Sequence, residues 1–179
     1  MANPQLHPLE VNPKTGEPFL RLLAHKNIIL TPPRLSDAPF IISILNDERV
    51  YPWLSSPPYP YLPGVLGSLK APGRASQGTP RRDPNDPDIW TAGDYLAPSH
   101  HRQGIMSDAF NTLLRQWGIP RMGVRRMVVT TLEGNKGSVR VFEKLGFKFR
   151  KTINDAIDVR GTKRGVHMLE WTLEDEGNK

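Results

Sequence analysis

Apolar positions recur along the chain in two rhythms, and the switches between them mark out its elements. Asn27-Ile-Ile-Leu-Thr31 is a short β-branched run closed by Pro32-Pro33, which predicts a strand. From Ser36 to Asn46 the spacing turns helical, with Phe40, Ile41, Ile44 and Leu45 behind a capping residue and a first-turn proline. Strand composition returns over Ile89 to Leu96 and closes at Ala97-Pro98. A polar turn, Ser99 to Gly104, opens a second helical pattern carrying Phe110, Leu114 and Trp117, with a stop expected at Gly118-Ile119-Pro120. Arg126 to Leu132 reads as the clearest strand. A short helix is expected over Ser138 to Leu145, with Val139, Phe142 and Leu145 on one side and Gly146 as its stop. Phe147 to Ile153 and Val166 to Thr172 then predict two strands around the turn-rich Val159 to Gly165. The second half runs strand, helix, strand, helix, strand, strand. Its first three elements predict a parallel pair with a helical crossover, and hence an α/β class.

Proline interrupts this pattern in one place. Of 18 prolines in 179 residues, nine (Pro52, Pro57, Pro58, Pro60, Pro63, Pro72, Pro80, Pro84 and Pro87) fall between 52 and 87, together with Gly64, Gly67, Gly73 and Gly78. Each proline removes an amide donor and forbids a helix interior or central strand position, so 55–88 is expected to be loop or disorder. Seven more prolines precede residue 40, and 1–26 reads as an extended N-terminal arm. The expected organisation is that arm, one domain over 27–172 interrupted by the loop, and a flexible tail over 173–179. A hydrophobic fraction of 37% supports a real core.

The chain has no cysteine, which excludes a disulfide scaffold, a cysteine zinc site and a thiol nucleophile. Its longest apolar runs fall far short of a membrane span, and no signal-like stretch opens the sequence, so the expected compartment is the cytosol, with the nucleus as the second choice.

Charge is as uneven as proline. Overall, Lys+Arg is 24 against 18 Asp+Glu, a net of +6, but from His101 to Arg164 there are 14 basic and 5 acidic side chains, a net of +9. Such a field attracts polyanions, whether nucleic acid, an acidic surface or a polyphosphate ligand; a solvated basic face with no partner fits equally well.

The turn at 99–104 narrows that choice. A strand feeding a Gly-containing turn that opens a helix brings backbone amides together with the helix dipole behind them, a geometry that takes phosphate. An ordinary strand-to-helix turn has the same outline. His100 and His101 do not read as metal ligands, since adjacent histidines seldom share an ion and no carboxylate or third histidine stands at useful spacing.

Asp94-Tyr-Leu-Ala-Pro-Ser-His-His-Arg-Gln-Gly-Ile-Met-Ser-Asp-Ala109, followed by Asn135-Lys-Gly-Ser-Val-Arg-Val-Phe-Glu-Lys-Leu-Gly-Phe147, resembles the acetyl-CoA-binding half of the GNAT N-acetyltransferase superfamily, nearest its RimJ/RimL-like branch and fungal relatives. The likeness covers 94–172 well and 27–61 more loosely. It implies a mixed-sheet GNAT acyltransferase fold, acetyl-CoA as co-substrate and an amine as acceptor. The family's pyrophosphate motif falls on His101, Arg102, Gln103, Gly104, Ile105 and Met106, with Ser107 beside it. Two positions depart from the motif: His101 stands where Arg or Gln is usual, and Arg102 where Gly is common, which costs conformational freedom.

By the same resemblance, strands 90–96 and 126–132 splay apart, leaving backbone groups of Tyr95 and Leu96 for the pantetheine arm. Asn135 matches the family asparagine that contacts that arm. Ser138 matches the serine placed to protonate the departing thiolate; many other acetyltransferases use a tyrosine, which would fall at Phe142, and phenylalanine cannot donate a proton. Asp94 and Glu133, near the ends of the two strands, are the candidate bases through water, and each also reads as an ordinary exposed carboxylate. Asn135 and Ser138 read equally as plain helix capping.

Between Asp47 and Ile89 the family sheet needs a helix and two antiparallel strands, yet 62–82 has strand-poor composition. Similarity stops near Tyr61 and resumes near Pro84, so the expectation is a deletion or aberrant segment at about 62–83, leaving the second and third strands incomplete. Two other functions stay open: a non-catalytic CoA-binding remnant, and a basic nucleic-acid-binding module over 115–164. Against the latter, Trp117, Phe142, Phe147 and Phe149 fall at core-like positions, and no nucleic-acid motif is present.

Overall fold

The computed structural model describes residues 7–63 and 89–174. Three short strands, β1 (Glu10–Val11), β2 (Pro18–Arg21) and β3 (Ile29–Leu30), form an antiparallel sheet in that order. The segment read as an extended arm is therefore partly folded in its described portion: Leu20 and Leu22 are buried, and Arg21 reaches back to Glu10 at 2.8 Å. A single 3-10 turn, Leu35–Asp37, leads into α1 (Ala38–Leu45), where the Arg34 amide donates to Asp37 and Pro39 sits in the first turn.

Residues 55–62 carry no helix or strand. Asn46 fastens their end, since its side chain accepts from the Tyr61 amide at 2.8 Å and donates to the Tyr61 carbonyl at 2.9 Å. Tyr61 is buried. The remainder of the expected loop, and with it most of the expected deletion at 62–83, lies outside the described residues.

Among the described residues, the second sheet has four strands in the order β4 (Ile89–Trp90), β5 (Arg126–Leu132), β7 (Thr162–Thr172), β6 (Lys148–Val159). Of these four, β4 and β5 pair in parallel and the other neighbours are antiparallel. Their crossover is α2 (Ile105–Leu113), a π-helical turn over Leu114–Gly118, and α3 (Ile119–Met122). The expected stop at Gly118-Ile119-Pro120 is a correction: the helix passes through it. The widened turn shifts the hydrogen-bond register ahead of Pro120, which sits in the first turn of α3 where its missing amide is not required. The chain stops instead at Gly123, with φ +67°, and the Val124 amide closes on the Gly118 carbonyl.

The hairpin is longer than its two apolar runs suggested. Val159 pairs with Thr162 across a two-residue turn in which Arg160 and Gly161 both have positive φ, 55° and 80°, the turn that matches strand twist. A register shift between Ile153 and Ile157 breaks the alternation that sequence reading relies on. Most of β6 is exposed on both faces and carries Lys148, Arg150 and Lys151, charges that suit an edge strand. Glu170 on β7 ties the neighbours together, accepting from Arg126 of β5 and Arg150 of β6, each at 2.7 Å.

Helix α4 (Lys136–Lys144) lies against this sheet. Met127, Val129, Leu169 and Trp171 face Leu114, Phe142 and Phe147 in one core cluster. Phe142 meets Phe110 edge-on at 5.2 Å and Phe147 at 5.1 Å, so ring contacts run from α2 through α4 toward the sheet. Leu173, read as the start of a tail, packs on that core and donates its amide to Arg125, while 175–179 lie outside the described residues.

Candidate functional site

The site begins where β4 stops pairing. Ile89 faces Arg126 and Trp90 faces Met127; beyond them β5 stays paired only with β7, as far as Leu132 opposite Val166. Among the described residues, 91–97 thus part from β5 and pair with no other strand before the next turn. Among the described residues, the amides of Tyr95 and Leu96 make no backbone hydrogen bond. Two buried side-chain atoms on the parting strands also lack a partner there, Nε1 of Trp90 and Oγ1 of Thr131. Asp94 is half-buried, and burial pushes its carboxyl above the usual range; burial, with the nearby Tyr61 adding, pushes the Tyr95 phenol up as well.

A 3-10 turn, Pro98–His100, carries the chain into the cradle. Its side chains brace the turn: His101 Nε2 donates to the Leu96 carbonyl at 2.9 Å, and Gln103 Nε2 donates to the Ser99 carbonyl at 2.8 Å. Arg102 has φ 61° and Gly104 φ 78°. Glycine takes such a conformation freely, whereas arginine pays for it, by about 1 kcal/mol. Gly104 is the N-cap of α2, and no side chain caps that end. The first amides of a helix have no intrahelical acceptor, so those of Ile105, Met106 and Ser107 are available to an anion. Ile105 is buried and anchors the helix start; Met106 and Ser107 are half-buried.

Sequence reasoning missed what stands behind the cradle. His25, between β2 and β3, places Nδ1 2.8 Å from Asp108 of α2 and Nε2 3.1 Å from the Gln103 carbonyl. The buried Asp108 also accepts the amides of Ala24 and His25, and Thr112 accepts that of Leu23. Burial pushes the Asp108 carboxyl up, but the His25 ring and the two amides outweigh it and hold it below the usual range. Nothing in the sequence singles out a loop histidine and a first-turn aspartate more than eighty residues apart.

Across the opening, Asn135 caps α4, its side chain accepting the Ser138 amide at 3.1 Å. Ser138 is half-buried in that first turn. Glu133 follows β5, its amide donating to the Gly165 carbonyl, and its carboxylate leans over Gly165 on β7, the side of β5 opposite β4. Phe142 is fully enclosed by its aromatic neighbours.

The four aromatics read as core-like divide. Phe142 and Phe147 are buried, Trp117 is half-buried beneath Arg121, and Phe149 is 49% exposed, edge-on to His167. Phe149 is a correction: it lies on the outer strand β6, most of whose residues are exposed. Among the described residues, no cluster of three or more potential metal ligands occurs, and no helix is long and apolar enough to cross a membrane.

Residues 71–148 match the family model described as an acetyltransferase (GNAT) domain. That match begins ahead of Pro84, where similarity was expected to resume. No match is found among curated proteins. Among solved structures, Mycobacterium smegmatis RimJ, in complex with CoA-disulfide, is similar at 19% identity and TM-score 0.65 over 88% of this chain and 87% of its own. RimL, the ribosomal L7/L12 alpha-N-protein acetyltransferase in complex with coenzyme A, gives 25% identity and TM-score 0.44, over 49% of each chain. A GNAT-family acetyltransferase from Bacillus anthracis gives 22% and 0.45, over 48% of this chain and 51% of its own. The chain thus spans about half the length of the latter two. Its fold is the mixed α/β fold of GNAT acetyltransferases.

Proposed function

We propose that this chain is an acetyl-CoA-dependent N-acetyltransferase of the RimJ/RimL-like kind, acting on an amine acceptor. One observation carries the reading: β4 leaves β5 after two residue pairs and runs into a turn whose helix offers uncapped amides. Residues 101–107 then hold the pyrophosphate through backbone amides, with Arg102 adding charge. Tyr95 and Leu96 offer backbone groups to the pantetheine arm, and Asn135 meets it from the other side. The match of 71–148 to the acetyltransferase family and the fold shared with a CoA-bound RimJ support this assignment.

Acetyl-CoA supplies an acetyl thioester, which a free amine attacks as the C–N bond forms and the C–S bond breaks. The Leu96 amide holds the oxyanion. Asp94 is the better base of the two candidates: burial raises its proton affinity, and it stands on the parting strand, whereas Glu133 leans away over β7. Ser138 returns a proton to the thiolate, a role Phe142 has no group to fill. The compartment that suits this chemistry is the cytosol.

Calorimetric titration with acetyl-CoA, and with a DNA oligomer at two salt concentrations, tests the reading. Acetyl-CoA binding with thiol release over a panel of peptides and small amines is the expected result. Silence toward acetyl-CoA with steeply salt-dependent DNA binding would overturn it. Acetyl-CoA binding without transfer to any amine would leave a CoA-binding protein that is not an enzyme.

A further inference from the structure

We propose that His25 is a positioning residue for the phosphate cradle, fixing the direction in which the Gly104 amide points. This rests on the cradle reading given above. The Gln103 carbonyl and the Gly104 N–H belong to one trans, planar peptide unit and so face opposite ways. His25 Nε2 lies 3.1 Å from that carbonyl oxygen. The carbonyl is thereby held toward the ring, and the Gly104 N–H is aimed away from it, toward the open side of the turn.

Such a lock is needed because Gly104 has no Cβ. A glycine at φ 78° lets the preceding peptide rotate at little cost, and a flipped unit would turn a carbonyl oxygen toward a bound phosphate. The ring stands directly beside the turn: a Cβ on Gly104 would lie 3.9 Å from His25 Cε1.

The ring is itself fixed at its other end. Nδ1 is 2.8 Å from Oδ2 of Asp108, a buried residue of the helix that the cradle opens. Asp108 also takes the His25 amide at 2.7 Å and the Ala24 amide at 3.0 Å, so backbone and ring are held together. The carboxylate and the carbonyl are both acceptors, and each faces one of the two ring nitrogens. The histidine thus links a buried point on α2 to the peptide that precedes Gly104.

The two ends can be separated by substitution. In His25→Asn the amide nitrogen falls near the place of Nδ1 and keeps the Asp108 contact; in His25→Gln it falls near Nε2 and keeps the Gln103 contact. Acetyl-CoA affinity is measured by calorimetry for the wild-type chain and both variants. The Gly104 amide is followed by NMR on adding inorganic pyrophosphate. The expected result is affinity about tenfold weaker in His25→Asn and close to wild type in His25→Gln. A pyrophosphate-induced Gly104 shift should appear in the wild type and His25→Gln only. The reverse order, or equal affinity in all three, would overturn the proposal, because the ring would then act only as an anchor for Asp108 or not at all. Should His25→Asn not fold, the Gln variant decides alone: losing affinity and shift overturns the proposal, and keeping both supports it. A wild-type chain that binds neither acetyl-CoA nor pyrophosphate is a different failure, since it removes the cradle itself.

Discussion

The Glu133 carboxylate lies so close over Gly165 that a Cβ added there would collide with it. The obstructing atom is the far end of a flexible side chain, so the conflict has a cheap resolution. Gly165→Ala is expected to fold with a loss of about 1 kcal/mol or less, while displacing the carboxylate. If Asp94 is the base, acetyl transfer by Gly165→Ala stays near wild type and Asp94→Asn loses most of it. The opposite pattern in a thiol-release assay would assign the base to Glu133.

Arg102 holds an arginine where the backbone asks for glycine. Arg102→Gly is expected to raise the melting temperature, reflecting relief of about 1 kcal/mol. The same change removes a charge beside the cradle, so acetyl-CoA binding should weaken and its salt dependence should become shallower. Scanning calorimetry and titration at two ionic strengths measure both; tighter binding would mean the arginine contributes nothing to the anion.

Capping and chemistry at the start of α4 separate by mutation. Asn135→Ala removes the acceptor of the Ser138 amide and should cost about 1 kcal/mol in chemical denaturation. Ser138→Ala leaves that bond in place, so its stability should change by less than about 0.5 kcal/mol while acetyl transfer falls. Unchanged transfer would remove Ser138 as the proton donor.

Glu170 makes the sheet sensitive to acid. The Arg126 guanidinium lowers its carboxyl below the ordinary value of 4.5, working against burial, and Arg150 lowers it further. A carboxyl depressed on folding stabilises the protein above its unfolded pKa, and that contribution disappears as pH falls through the folded value. Melting temperature should therefore drop on acidification below about pH 4.5, and less steeply in Glu170→Gln. Parallel slopes in the two proteins would assign the acid sensitivity elsewhere.

Phe142 cannot be made into the missing tyrosine. Its ring is enclosed by Phe110 and Phe147, so a hydroxyl added there would be buried in an apolar cluster. Phe142→Tyr is expected to lose stability without gaining activity, and Phe142→Ala to lose about 3–5 kcal/mol. Melting curves with a thiol-release assay check both.

What could be read from the sequence was what local rules govern. Arg126 to Leu132 is a strand with the same limits in the structure, because alternation and β-branching agree there. The turn before α2 was legible because Gly104 must take a positive φ at a helix start. The run through Pro120 was not, since a π turn leaves no compositional mark. Nor was the full hairpin, whose bulge at Asp155 disrupts the period. In the candidate site the turn itself was legible but the work of two of its side chains was not: His101 and Gln103 are taken up by the Leu96 and Ser99 carbonyls. His25 and Asp108 escaped altogether, because their partnership is purely tertiary.

That partnership has a consequence for the order in which the protein forms. The contacts of Leu23, Ala24 and His25 with α2 join residues 89, 84 and 83 positions apart. Pairings at such separation are slow to close and come late in folding. On the ribosome, the loop between β2 and β3 must wait for these partners until Thr112 has emerged. The cradle thus takes its final shape only once those contacts close, and a ligand that fits only that shape should slow its reopening without hastening the first steps of folding.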